Sequence, residues 1–278
     1  MKIKDTQLKP AELIPQFVHA LGSHLRAVRF TRKHKLWQGF WRYGWVSKLL
    51  ILGGLFMGLK FFSIFVEWIE QFREAGSEKM MVVISGMFTD FFNSGYAELF
   101  SGGTKYLMLI LLEVIIFHMC RRTLEILNGK YEAALGFNDF IKAQIRMFKV
   151  GIYSWILEIV VSALAGIGLG IFSIGFLENG VVFIAQCYFL GWAVVDNYNE
   201  QFGLSINDSL KYTLQYAGVA LAVGGILYII MLIPIVGPIA GPIIAAVTAT
   251  IVMYELSDLH LRPKTEEAEP GEPLAETV

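Results

Sequence analysis

Long apolar runs joined by short polar links set the pattern of the chain. Residues 46–66 are almost uninterruptedly apolar, with Lys48 and Lys60 as the only charges. At roughly 20 residues per span this run is long enough to cross a bilayer. Trp45 and Trp68 bracket it in the manner of interface anchors. A second run, 106–120, contains Glu113 and His118 and stops at Arg121 and Arg122. Two longer apolar stretches follow, 151–195 and 216–256, each interrupted by residues that disfavour helix: 175–180 in the first, and 234–242, with Pro234, Pro238 and Pro242, in the second. The return limbs this implies, 181–195 and 243–256, are about 15 residues each, short of the usual minimum of about 17 for a full crossing. Either they cross where the bilayer is thin, or each hairpin enters part-way and turns back. A turn at that depth has to be buried in protein or face a watery cavity, because lipid offers no partner for free N–H and C=O groups.

The polar stretches divide the chain. Residues 1–45 form a basic amphipathic segment suited to the anionic surface of the cytoplasmic leaflet, with Arg26, Arg29, Arg32, Lys33 and Lys35. The first two membrane helices fall within 46–120, with 67–105 as an external segment rich in Glu and carrying an apolar patch at 80–92. Residues 121–150 read as a cytoplasmic amphipathic connector with Lys130, Lys142, Arg146 and Lys149. Two membrane hairpins over 151–261 are joined by a polar link, 196–211, in which Ser205 and Asp208 have capping-box spacing. The acidic tail 262–278 cannot bury enough apolar surface to order itself. Lys and Arg gather before residue 46 and after residue 120, which predicts both termini in the cytoplasm.

Composition agrees. Hydrophobic residues make up 55% of the 278 and charged residues 17%, where soluble domains carry about a quarter charged, and the mean hydropathy is +0.55. The fold class expected is an all-α integral membrane protein: two long transmembrane helices plus two hairpins of short helices that either cross a thin bilayer or penetrate it part-way. A net charge of −1, with the basic residues beside membrane segments, argues against nucleic acid as a partner. Cys120 and Cys187 are isolated and read as reduced packing residues. No short apolar core with a small-residue cleavage site lies near the start, so no cleaved signal peptide is expected. Catalytic motifs are missing too, with no Gly-x-Ser-x-Gly, His-Glu-x-x-His or phosphate loop, so no enzyme, cofactor or metal is expected.

Several residues are candidates for function. Glu113, His118 and Glu158 are ionisable inside apolar runs, which is costly in lipid and marks a solute or proton path, or else pairing with a neighbouring helix and access to water near an interface. Asp196, within the polar set Asp196, Asn197, Asn199 and Glu200, could line a pore mouth or simply end a helix. Gly241 and Pro242 would open the last limb, with Pro at a first helical position, so that its N–H groups offer an anion site; the alternative is that the prolines only shape a turn. Arg29, Arg32, Lys33 and Lys35 could gather an anion or hold lipid headgroups. Gly166, Gly168, Gly170, Ala245, Ala246 and Ala249 are spaced for close helix packing.

Residues 185–256 resemble the CysZ-type sulfate permease family, also called the etoposide-induced protein family. The likeness is an ordered set: Gly191-Trp192-Ala193 at a helix end, Asp196 and Tyr198 in a polar link, and an amphipathic helix opening at Ser205. A limb with Gly218, Gly224 and Gly225 follows, then the turn Ile233-Pro234-Ile235-Val236-Gly237 and a final limb from Pro242. A fainter match covers 34–50. The resemblance implies two long membrane helices, two pairs of hemi-penetrating helices, a homo-oligomer, a bacterial inner-membrane location, and passage of a small sulfate-like anion without a cofactor. The Gly-Leu-Arg-Arg-like sequence that supplies sulfate ligands in that branch is replaced here by Lys35-Leu36-Trp37-Gln38. The alternative reading is a non-transporting membrane scaffold or regulator of the same family.

Overall fold

The computed structural model describes residues 10–38, 48, 52, 70, 104–129, 137–172, 174–231, 233 and 236–261. The first crossing (46–66), most of the external segment with its apolar patch, and the tail 262–278 lie outside these residues. Among the described residues the elements are all helical. They are α1 (Pro10–His34), α2 (Thr104–Asn128), α3 (Phe137–Ile171), α4 (Glu178–Glu200), α5 (Ile206–Gln215), α6 (Ala217–Met231) and α7 (Val236–Leu256), with short 3₁₀ turns at Gly175–Leu177 and Leu259–Leu261.

α1 begins with Pro10 at a position whose N–H has no helical partner in any case. Glu12 in its first turn and Arg32, Lys33 and His34 in its last complement the helix dipole. Gln16, Ala20, Ser23, His24 and Ala27, at spacings of three and four, form its buried face. That face packs on α6 and α7. Ile14, Val18, Leu21 and Leu25 form the opposite, exposed stripe. The amphipathic helix expected in this region is therefore present, and it is docked on the bundle. Arg26 and His19 hold it to α7 through Glu255, at 2.6 and 2.9 Å. His24 Nδ1 donates to the Ala20 carbonyl at 2.9 Å, and burial lowers its pKa below the ordinary 6.5.

The bundle centres on α4, α6 and α7, with α2 packed against α7, α3 and α4. Small residues set the crossing of α4 and α6. A Cβ at Gly191 would collide with the Ala220 carbonyl, and one at Gly224 with the Cys187 carbonyl, so the two backbones touch where glycine stands. Ala245, Ala246 and Ala249 of α7 are also buried. Among the described residues a Cβ at Gly168 or Gly170 meets no atom within 4 Å, so close packing there accounts for the alanines and not for these glycines.

Three helices are long and apolar enough to cross a membrane among the described residues: Ile141–Ile171, Gly175–Glu200 and Ile239–Leu256. α3 turns Ile156, Ile159, Leu164, Ile167 and Ile171 outward, a surface suited to lipid. By length and composition these helices are compatible with a membrane protein. α2 has the length but carries Lys105, Glu113, Arg121 and Arg122, and is not one of the three.

The structure corrects the limb lengths. α4 has 23 residues and α7 has 21, so neither return limb is short. The Pro-rich stretch breaks the chain only between Met231 and Val236, because Pro238 falls in the first turn of α7 and Pro242 is carried inside it. Within 121–150, α2 continues to Asn128, and Phe137 onward belongs to the 35-residue α3.

α5 and α6 meet at 98°. Such a corner frees backbone groups that helices normally pair, and Gln16 of α1 takes up two of them. Its Nε2 donates to the Gln215 carbonyl at 2.9 Å, and its Oε1 accepts from the Gly218 N–H at 3.3 Å. At the start of α5, Asp208 N–H donates to Ser205 Oγ at 3.2 Å and Ser205 Oγ donates to Asp208 Oδ2 at 2.7 Å, the cap that the spacing predicts.

Candidate functional site

Two buried polar clusters lie between α2, α3 and α4. The first joins the start of α2 to the middle of α3. Ala143, Met147, Val150, Ser154 and Glu158 recur at three and four residues along the buried side of α3, which turns Glu158 toward α2. Lys105 Nζ donates to Glu158 Oε1 at 2.6 Å and Tyr106 OH donates to Oε2 at 2.7 Å. The lysine side chain is 0% exposed and that of Glu158 8%. Glu158 thus does not reach water near an interface, and Lys105 is not part of a solvated external segment. An ion pair so enclosed is held by the loss either charge would suffer alone.

The second cluster lies nearer the C-terminal ends of α2 and α4. Arg146 of α3 grips Asp196 through two parallel bonds, Nε to Oδ2 at 2.9 Å and NH2 to Oδ1 at 2.8 Å. This fork-to-fork geometry is the strong form of the arginine–carboxylate pair. Its NH1 also donates to the Leu204 carbonyl at 2.7 Å, tying in the turn after α4, and Glu200 Oε2 approaches Nε at 3.7 Å. One helical step from Asp196, Asn197 Nδ2 reaches Glu113 Oε2 at 3.5 Å, the outer limit of hydrogen bonding. Glu113 is 0% exposed, and its Oε1, like Asn197 Oδ1, has no hydrogen-bond partner. Behind it, Asn199 Nδ2 donates to Ser209 Oγ at 3.0 Å and to Thr213 Oγ1 at 3.1 Å, closing α4 onto α5.

The structure therefore brings together Glu113 and Asp196, and leaves the other candidates elsewhere. Glu158 belongs to the first cluster. His118 Nε2 bonds the Leu36 carbonyl at 2.8 Å and so anchors the turn that follows α1. Gly241 and Pro242 do not open a helix: α7 starts at Val236, Gly241 packs against Leu227, Ile230 and Met231, and Pro242 is buried. The anion site expected from exposed N–H groups at that point is not there, because those groups lie inside a helix. Arg29, Arg32, Lys33 and Lys35 are exposed on and just after α1. Lys35 is the one described non-glycine residue with positive φ, at 49°. Cys120 and Cys187 are buried free thiols.

Lys105, Tyr106 and Arg146 were not legible as site residues. Arg146 reads in sequence as one of several positive charges that fix topology, and Lys105 as the end of an acidic segment. The only signal available was that Glu158 shares the spacing of the buried face of α3. Among the described residues no group of three or more His, Cys, Asp or Glu could hold a metal ion. No family model, curated protein or solved structure matches the chain.

Proposed function

We propose that the protein is a membrane transporter, a channel or permease for a small inorganic anion of the sulfate type, working as a homo-oligomer in a bacterial inner membrane with both termini cytoplasmic. The observation that carries the transport reading is the pair of buried ionisable clusters between apolar helices. Charge inside a membrane domain is costly and is kept where it lines a path or moves between partners. Lys105 and Arg146 are its cations, each paired with a carboxylate that a passing anion would displace. The choice of anion rests on the resemblance of residues 185–256 to the CysZ-type permeases. The two long helices and two hemi-penetrating hairpins of that family are part of the same proposal, in which the sharp α5–α6 corner would be the broken limb.

A second reading, a non-transporting scaffold, is favoured by one observation: both ion pairs are closed, at 2.6 to 2.9 Å, within the chain itself. Uptake of radiolabelled sulfate into liposomes holding the purified protein, with sulfite and thiosulfate as competitors, decides between them. Saturable uptake above protein-free liposomes, lost in Arg146→Ala but not in an exposed-site control such as Lys211→Ala, supports the permease. No uptake by folded, oligomeric protein supports the scaffold.

A further inference from the structure

We propose that Glu113 is a proton-binding site: its carboxyl is held as the neutral acid inside the packed bundle, hydrogen-bonded to Asn197, and ionises only when the bundle opens to water. The inference needs the buried cluster and not the anion, so it stands whichever solute, if any, the protein moves.

The first argument is a count of donors. Glu113 is fully enclosed, and among the described residues the only hydrogen bond it receives is the long one from Asn197. An ionised carboxylate offers about four acceptor sites, and a buried one without a cation loses several kcal/mol of hydration. The second argument is what surrounds it. The charged groups that act on it are Glu200 and Asp196 from α4 and Arg146 from α3. Arg146 is committed to both oxygens of Asp196 and to the Leu204 carbonyl. On its own helix Cys120 is the titratable neighbour, within reach of Thr250 from α7. The one carboxylate on α7, Glu255, is turned to α1. Three carboxylates would thus face one guanidinium if all were ionised, and Glu113 is the member that makes no bond to it.

The third argument is that the contacts present suit the neutral acid. Asn197 Nδ2 donates to Glu113 Oε2 at 3.5 Å and to the Ala193 carbonyl at 3.5 Å. With the proton on Oε1, Oε2 remains the carbonyl acceptor of that amide and no charge is left without a cation. The proton comes from bulk water and returns to it. Arg146 and Glu200, with 16% and 21% of their side chains exposed, form the edge of the cluster that water reaches.

Infrared difference spectroscopy on the full-length protein in lipid nanodiscs tests this through the carbonyl stretch of a protonated carboxyl. The expected result at neutral pH is a band from a buried acid that is lost in Glu113→Gln, retained in Glu158→Gln and in Glu200→Gln, and moved to higher wavenumber in Asn197→Leu as its hydrogen bond is removed. Glu113→Gln, close in shape to the neutral acid, should keep the wild-type melting temperature. If Glu113→Gln does not fold, Asn197→Leu still decides. A wild-type protein with no protonated-carboxyl band at neutral pH, a band indifferent to Glu113→Gln, or one unmoved in Asn197→Leu overturns the proposal. Sulfate uptake, present or absent, does not enter the readout.

Discussion

Replacing Lys105 with methionine keeps most of the side-chain volume and removes one charge from an ion pair closed at 2.6 Å. At an effective dielectric of about 20, unit charges at this separation attract by about 6 kcal/mol. That attraction offsets desolvation penalties of several kcal/mol for each ion, so the pair contributes little net stability. Breaking it on one side is different. Lys105→Met leaves an enclosed carboxylate with only the Tyr106 hydroxyl as donor, and Glu158→Gln leaves an enclosed ammonium, each costing about 3–5 kcal/mol. The double variant restores neutrality, and the Tyr106 hydroxyl still has an amide oxygen to donate to. It should be more stable than either single variant. Equilibrium unfolding of the four proteins in mixed micelles with rising SDS, read by tryptophan fluorescence, gives the cycle. Single-variant costs that add to the double-variant cost within about 0.5 kcal/mol would refute a coupled, desolvated pair.

Other perturbations test other parts of the fold. Gly224→Ala drives a Cβ into the Cys187 carbonyl and should cost at least the upper end of the roughly 1–3 kcal/mol range for overpacking, while Gly168→Ala, with nothing within 4 Å, should be neutral or raise the melting temperature slightly. Gln16→Ala strips the α5–α6 corner of both partners, costing about 1–3 kcal/mol and speeding hydrogen exchange at Gly218. The lowered pKa of His24 means that the folded state resists a proton the unfolded chain accepts. Stability is therefore complete above the ordinary pKa of 6.5 and falls as pH drops below it, and His24→Leu should flatten that acid limb in a melting series from pH 8 to pH 5.

How far the sequence could be read depended on whether a feature was local. The apolar helices and the Ser205 cap follow from neighbouring residues, and the structure contains both; the break expected at 175–180 falls earlier, because 178–180 already belong to α4. The Pro-rich break expected over 234–242, with Pro242 opening the last limb, is shorter in the structure because α7 already starts at Val236 and takes in Pro238. In the first turn of α7 its missing N–H has no helical partner to lose. The polar clusters were least legible. Lys105 and Glu158 are 53 residues apart, and Arg146 and Asp196 are 50 apart. Nothing in composition or periodicity says which buried charge will meet which. Glu113, like His118 and Glu158, is a candidate from the sequence because it is ionisable inside an apolar run, where even an unpaired reading demands an explanation.

The Gln16 contact has a consequence for how the chain is made. The amide that completes the corner between α5 and α6 lies 199 residues upstream of the carbonyl it serves. During synthesis the amide emerges long before its corner. Until the ribosome has delivered α6, α1 has neither the surface it packs on nor the two backbone groups it satisfies. The corner, once made, is under-bonded until α1 swings back to it. Docking of α1 is thus a late event of assembly, and a nascent chain halted before residue 231 should present α1 to any chaperone or protease that meets it.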